Sequence, residues 1–332
     1  MTLAAIFGLE GTELTGVERD FFRSTDPWGF ILFARNVESP DQLRRLTSDL
    51  RDAVGRDCLI TVDQEGGRVQ RLRAPHWAEW APPLEDARLG AEALRLRYRL
   101  IGQELRSVGI DSDCAPTLDI ASDATHPFLL NRCLGRDAAT VAVNGRAVAE
   151  GLLAAGVLPV MKHMPGHGRA TADSHHHLPE TDAPLKTLRD TDFAPFRALN
   201  DLPLGMSAHI RFSALDDAPS TCSAHMVGLI RDEIGFDGLL MTDDISMQAL
   251  EGSIGARAAR AIAAGCDLVL HCHGIMSEMV EVAENAGPMT ANAMARAERA
   301  LSMRGAVDQA DPRELVAAFR AAGGQARGGA FG

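Results

Sequence analysis

The stretch "VLPVMKHMPGHGRATADSHHHLPE", Val157 to Glu180, opens on an apolar run, reaches a lysine and a histidine, and then breaks into Gly, Pro and His. It reads as a buried strand followed by a long loop: the apolar residues suit a strand covered on both faces, and Pro165, Gly166 and Gly168 end it. What decides the fold is that this pattern recurs. Apolar runs lie at 3–9, 28–34, 58–63, 110–119, 157–163, 204–210, 238–244 and 266–272, eight in all. Helix-like segments separate them. "SPDQLRRLTSDLRDAVG" carries Ser39 as N-cap before Pro40 and stops at Gly55, and "AEALRLRYRLIGQELRSVG" is amphipathic and closes on Gly109. Eight strand–helix units predict an α/β fold, a single (β/α)8 TIM barrel with a long catalytic loop after strand 5. An open doubly wound sheet is the alternative, but no G-x-G-x-x-G follows the first strand to support its nucleotide-binding form. The barrel domain is expected over 1–318, with a frayed Ala/Gly-rich tail over 319–332.

Bulk properties narrow the partners. A chain of 332 residues, 46% hydrophobic and 23% charged, has enough apolar material for one large core. A formal charge of −12 argues against nucleic acid and against an anionic membrane as partners. No apolar run approaches the roughly 18 residues of a membrane span. The N-terminus lacks a basic region before its apolar residues, which suits a first strand better than a signal peptide. Six cysteines without C-x-x-C spacing read as buried free thiols in a reducing compartment, and the cytoplasm is the expected location.

Barrel active sites form at the C-terminal ends of the strands. Those ends carry Asp63, Asp119, Lys162 with His163, His209, Asp243 with Asp244, and His271. So many ionisable residues on one rim point to an enzyme. Asp63 and Arg71 flank Gly66 and Gly67, where the backbone turns tightly, and they either face the pocket or form a solvated salt bridge. Two chemistries compete. In glycoside hydrolysis Asp243 or Asp244 would act as nucleophile and His175, oriented by Asp173, as the acid. In a metal-dependent barrel hydrolase His163, His167, His175, His209 and His271 would serve as ligands beside Asp243. The early strands offer no H-x-H for such a site, and "HCH" at 271–273 comes last.

The motifs then resemble a known family. "KHMPGHGRATADSHHHLP" is similar to the K-H-F-P-G-H-G…D-S-H signature of glycoside hydrolase family 3, in its β-N-acetylhexosaminidase branch. "VDQEGGRVQR", "APTLDI", "SAHI" and "GFDGLLMTDDISM" match further blocks of that branch in the same order, over roughly residues 5 to 270. The resemblance implies hydrolysis of terminal β-linked N-acetylglucosamine with retention, and, for single-domain members, release of that sugar from 1,6-anhydro-N-acetylmuramoyl peptides in peptidoglycan recycling. Cell-wall turnover, cell shape and division are the processes it would serve. Asp243 would be the nucleophile, His175 the acid/base and Asp173 its orienting carboxylate. Asp63, Arg71, Arg132, Lys162 and His163 would hold the sugar, with no metal and no cofactor. Arg136 rivals Arg132, because "NRCLGRD" is the weakest block. Met164 stands where the family has Phe, and His176 and His177 are extra loop residues. A phosphorylase using the same residues, and a non-catalytic sugar-binding protein, are the remaining readings.

Overall fold

The computed structural model describes residues 1–170 and 177–329. Eight parallel strands close a barrel: β1 (Leu3–Phe7), β2 (Pro27–Leu32), β3 (Leu59–Val62), β4 (Ser112–Asp113), β5 (Leu158–Met164), β6 (Leu204–Ser207), β7 (Leu239–Asp244) and β8 (Leu268–His271). Each pairs with its chain neighbours, and β1 meets β8 with Ala5 opposite Val269. All eight fall within, or within one residue of, the apolar runs of the sequence. The run at 110–119 is regular over only two residues, because Pro116 has no N–H to give the ladder. The chain rejoins at Thr117, and the Leu118 N–H donates to the Lys162 carbonyl at 2.7 Å.

Side chains alternate across the barrel wall. Ala4 and Ile6 of β1 pack with Ile31, Val160, Met206, Met241 and Leu270 in the interior. Ala5 and Phe7 pack outward with Phe30, Leu32, Ile60 and Val62 against the helices. Among the helices, α1 (Pro40–Val54) begins and ends as its sequence predicts. Ser39 Oγ accepts the Gln42 N–H, and Gly55 takes the left-handed conformation at φ 67°. α2 (Ala91–Arg106) stops three residues short of Gly109. It packs on α3 (Ala138–Ala154) at Gly151, where a Cβ would lie 2.4 Å from the Arg95 carbonyl oxygen.

The expected frayed tail is corrected by the structure. Helix α4 (Pro312–Ala321) runs across position 318 and buries Leu315, Val316 and Phe319. The Phe319 ring lies 5.8 Å from Trp80. Further on, Ala326 is buried, and Glu79 and Arg327 exchange backbone hydrogen bonds of 2.7 and 3.3 Å. Three apolar residues at helical spacing outweigh the Ala/Gly composition around them. No helix among the described residues is long and apolar enough to cross a membrane.

Candidate active site

A cavity of about 250 Å³ opens at the C-terminal ends of the strands, lined by Asp63, Arg71, Arg132, Lys162, His163 and Asp243, with Phe33 and His167 beside them. Strand β3 delivers Asp63 and Glu65. After it the chain turns at Gly66, φ 105°, where a Cβ would lie 2.0 Å from Arg97 Nη2. That close approach has a purpose: Arg97 and the Tyr98 hydroxyl both donate to the Glu65 carbonyl, at 2.6 and 3.0 Å, so the turn is held from beneath. Gln64 pins the other end, its Oε1 accepting the Arg71 and Leu72 N–H groups at 2.9 and 3.1 Å.

From this turn a chain of charges spans the cavity wall. Arg71 donates to Asp63 at 3.0 Å, and Lys162 donates to the other Asp63 oxygen at 2.9 Å. Lys162, 1% exposed, also meets Glu65 at 2.6 Å, and Arg132 grips Glu65 through two bonds of 2.9 and 2.8 Å. Three cations face two carboxylates, so the cluster is net positive and every buried charge has a partner. Burial alone would raise both carboxyls, but Lys162 and Arg71 hold Asp63 far below the usual range, and Arg132 and Lys162 hold Glu65 down to about 2. Burial likewise opposes the charge on Lys162, and Asp63 and Glu65 outweigh it, so its ammonium is retained.

Asp119 organises the opposite side. One of its oxygens lies 2.7 Å from His163 Nδ1, and the other accepts the His167 N–H at 2.6 Å. His163 therefore turns its Nε2 edge to the cavity. His167 is 2% exposed, and neither of its ring nitrogens has a partner among the described residues. Burial pushes its pKa down to about 4, so the ring is neutral and offers one donor and one acceptor.

The two aspartates ending β7 differ. Asp244 accepts the Ser246 hydroxyl at 2.5 Å, the Ser246 N–H at 3.1 Å and the Cys272 N–H at 3.2 Å. Its carbonyl lies 3.0 Å from His209 Nε2. Asp243 accepts only the next backbone N–H, at 2.8 Å, and no side chain among the described residues donates to it. Burial would raise its pKa, but His163 and His209 lead the groups that lower it, leaving the carboxylate ionised.

The structure thus brings Asp63, Arg71, Arg132, Lys162, His163 and Asp243 to one cavity. Arg136 instead pairs with exposed Asp123, away from it. Asp173, His175 and His176 lie outside the described residues. Sequence reasoning missed Glu65, and it weighed His167 only as a metal ligand. The Asp63–x–Glu65 spacing was the available signal, since alternate residues at a strand end share a face. Of the histidines weighed as ligands with Asp243, His209 is engaged at both nitrogens and His271 turns to Glu278. Among the described residues, the one group of three or more His, Cys, Asp or Glu side chains close enough to share an ion is His271, His273 and Glu278.

Residues 22–303 match the N-terminal domain of glycosyl hydrolase family 3. The chain belongs to glycoside hydrolase family 3. It is a glycosidase, in agreement with the sequence motifs, and every residue named above as lining the cavity lies within the matched span. A β-hexosaminidase of Methylococcus capsulatus is 39% identical over 278 residues, covering 81% of this chain and 82% of that protein. One from Bordetella parapertussis is 38% identical over 279 residues, covering 79% and 78%. Among solved structures, NagZ from Neisseria gonorrhoeae in complex with N-trifluoroacetyl-D-glucosamine superposes with a TM-score of 0.84 at 27% identity, over 97% of this chain and 96% of that one. A family 3 β-N-acetylglucosaminidase from Paenibacillus gives 0.85 at 29% identity, over 96% and 67%.

Proposed function

We propose that this family 3 enzyme is a retaining β-N-acetylglucosaminidase that removes terminal β-linked N-acetylglucosamine through a covalent glycosyl-enzyme intermediate. The observation that carries the reading is the contrast at the end of β7: Asp243 faces the cavity without a side-chain donor among the described residues, while both Asp244 oxygens accept hydrogen bonds. An ionised, unencumbered carboxylate is what nucleophilic attack on an anomeric carbon requires. In this reading the Asp243–C1 bond forms as the glycosidic C–O bond breaks. His175 gives its proton to the leaving oxygen and then takes one from the water that releases the sugar, and Asp173 orients it. Those two roles rest on the family motif. Asp63, Arg71, Arg132, Lys162 and His163 hold the hydroxyls, and their clustering in a cavity of one-sugar size supports an exo-acting enzyme. The Neisseria complex with an N-acyl glucosamine supports an aminosugar in that cavity. The substrate we assign is the N-acetylglucosamine-1,6-anhydro-N-acetylmuramoyl peptide of peptidoglycan recycling, met in the cytoplasm.

The test is turnover of 4-nitrophenyl N-acetyl-β-D-glucosaminide against the corresponding glucoside, in chelator, with and without phosphate. Turnover of the acetamido sugar alone, indifferent to both additions, is the expected outcome. A rate that needs phosphate would make the enzyme a phosphorylase, and a rate abolished by chelator would return the histidines to service as ligands.

A further inference from the structure

Beyond the glycoside cavity, β8 ends on a second constellation. Cys272 lines the cavity, so its neighbours His271 and His273 lie on the other face of the strand end. There they meet Glu278, in the first turn of the helix Met276–Ala286. His271 Nε2 is 2.7 Å from Glu278 Oε2, and His273 Nδ1 is 3.6 Å from the same oxygen. One ligand atom from each of the three residues falls within 4.8 Å of the others. A tetrahedral ion with ligands about 2.0–2.1 Å away places those atoms roughly 3.3 Å apart; the two nitrogens lie on either side of that distance from Glu278 Oε2, and rotation of the imidazoles would bring them to it.

We propose that His271, His273 and Glu278 form a binding site for a divalent transition-metal ion of the zinc class, outside the glycoside cavity. Two imidazoles and one carboxylate suit that class better than calcium or magnesium, which prefer oxygen throughout. His273 has the outer partner that a ligating histidine uses. Ligation through Nδ1 leaves His273 Nε2 on the Ser246 hydroxyl at 3.1 Å, and that hydroxyl is held by Asp244 at 2.5 Å. Such an outer carboxylate relay fixes the ring and its tautomer. On His271 the ion takes the Nε2 lone pair and the ring proton moves to Nδ1, which has no partner among the described residues. The fourth position faces solvent, since the His273 side chain is 51% exposed. The same Ser246 and Asp244 adjoin Asp243, so the site is tied by hydrogen bonds to the end of β7.

Calorimetric titration of the chelator-treated full chain with zinc chloride tests this. One equivalent should bind, and His273→Asn and Glu278→Gln should each weaken it at least about 100-fold, with Ser246→Ala weakening it about 10–100-fold as an outer partner. Cobalt should give the intense visible absorption of a four-coordinate ion in the wild type and lose it in His273→Asn. Melting in chelator checks the fold of each variant, and half-exposed His273 carries the test if Glu278→Gln unfolds. No retained zinc after equilibrium dialysis would overturn the proposal. So would an isotherm unchanged in both variants, or zinc displaced by N-acetylglucosamine, which would place the ion in the glycoside cavity.

Discussion

Replacing Glu65 by Gln removes one charge from a buried chain of five while barely changing its volume. In the wild type the Glu65 carboxylate takes two bonds from Arg132 and one ion pair from Lys162. Glutamine keeps one acceptor oxygen, cannot take the double grip, and leaves three cations sharing Asp63. Breaking a buried pair by deleting one partner costs about 3–5 kcal/mol. The depressed acidity gives a second route to the figure: a fall from 4.5 to about 2, at roughly 1.4 kcal/mol per pH unit, is worth about 3 kcal/mol. For a chain of this length 1 kcal/mol moves the melting temperature by roughly 1.5 °C, so a loss of about 4–7 °C is expected at neutral pH. The sign of the pH dependence follows. A carboxyl whose folded pKa is depressed contributes stability above its unfolded pKa and loses it as pH falls toward the folded value. The gap between wild type and Glu65→Gln should therefore hold steady from pH 5 to 8 and narrow below about 4.5. Because Arg132 and Lys162 line the cavity we propose for the sugar, kcat/KM should fall together with stability. Calorimetric melts across pH, paired with aryl glycoside kinetics, decide it. A variant melting within a degree of the wild type at pH 7, or a gap indifferent to pH, would refute the ion-network account.

Other expectations follow from the same geometry. Asp243→Asn should lower turnover by roughly 10⁴-fold or more, whereas Asp244→Asn should act through lost Ser246 and Cys272 bonds and retain measurable activity. Comparable activity in both variants would move the nucleophile. His175→Ala should cripple hydrolysis of glycosides with poor leaving groups, by about 10²–10⁴-fold, and spare the first step on an activated aryl glycoside. Equal losses on both substrates would argue against the acid role. His167→Phe keeps the apolar contact with Phe128 but removes two nitrogens that have no partner among the described residues. A rise in KM worth about 1 kcal/mol of one hydrogen bond is expected, and unchanged kinetics would remove His167 from the sugar site. Since burial keeps that ring neutral down to about pH 4, the shape of the pH–rate profile between pH 5 and 7 should be unchanged by the substitution.

Much of the barrel was legible because its physics is local. A strand buried on both faces must be apolar, and barrel chemistry gathers at the strand ends, so "LLMTDD" and "VLPVMKH" announced both the strands and the ionisable residues that end them. What escaped was non-local. Glu65 sits in a polar loop sequence, and its burial depends on Arg132, 67 residues away. The truncation of β4 turns on one missing N–H at Pro116, and the folded tail on Phe319 finding Trp80. The choice between Asp243 and Asp244 could not be made from alternation. It rested on the family resemblance, and the hydrogen-bond partners of the two carboxylates support the same proposal.

Closure of the barrel has a consequence for the chain's synthesis. β1 is made before every other strand of the barrel, yet its partner β8 lies 264 residues later, at the Ala5–Val269 pairing. At about 5–20 residues per second a ribosome needs roughly 13–50 s to deliver it. Throughout that interval one side of β1 is an open edge of Leu, Ala, Ile and Phe with unpaired amides. A message cut short before β8 would therefore yield a sticky, unfinished sheet instead of a smaller working enzyme.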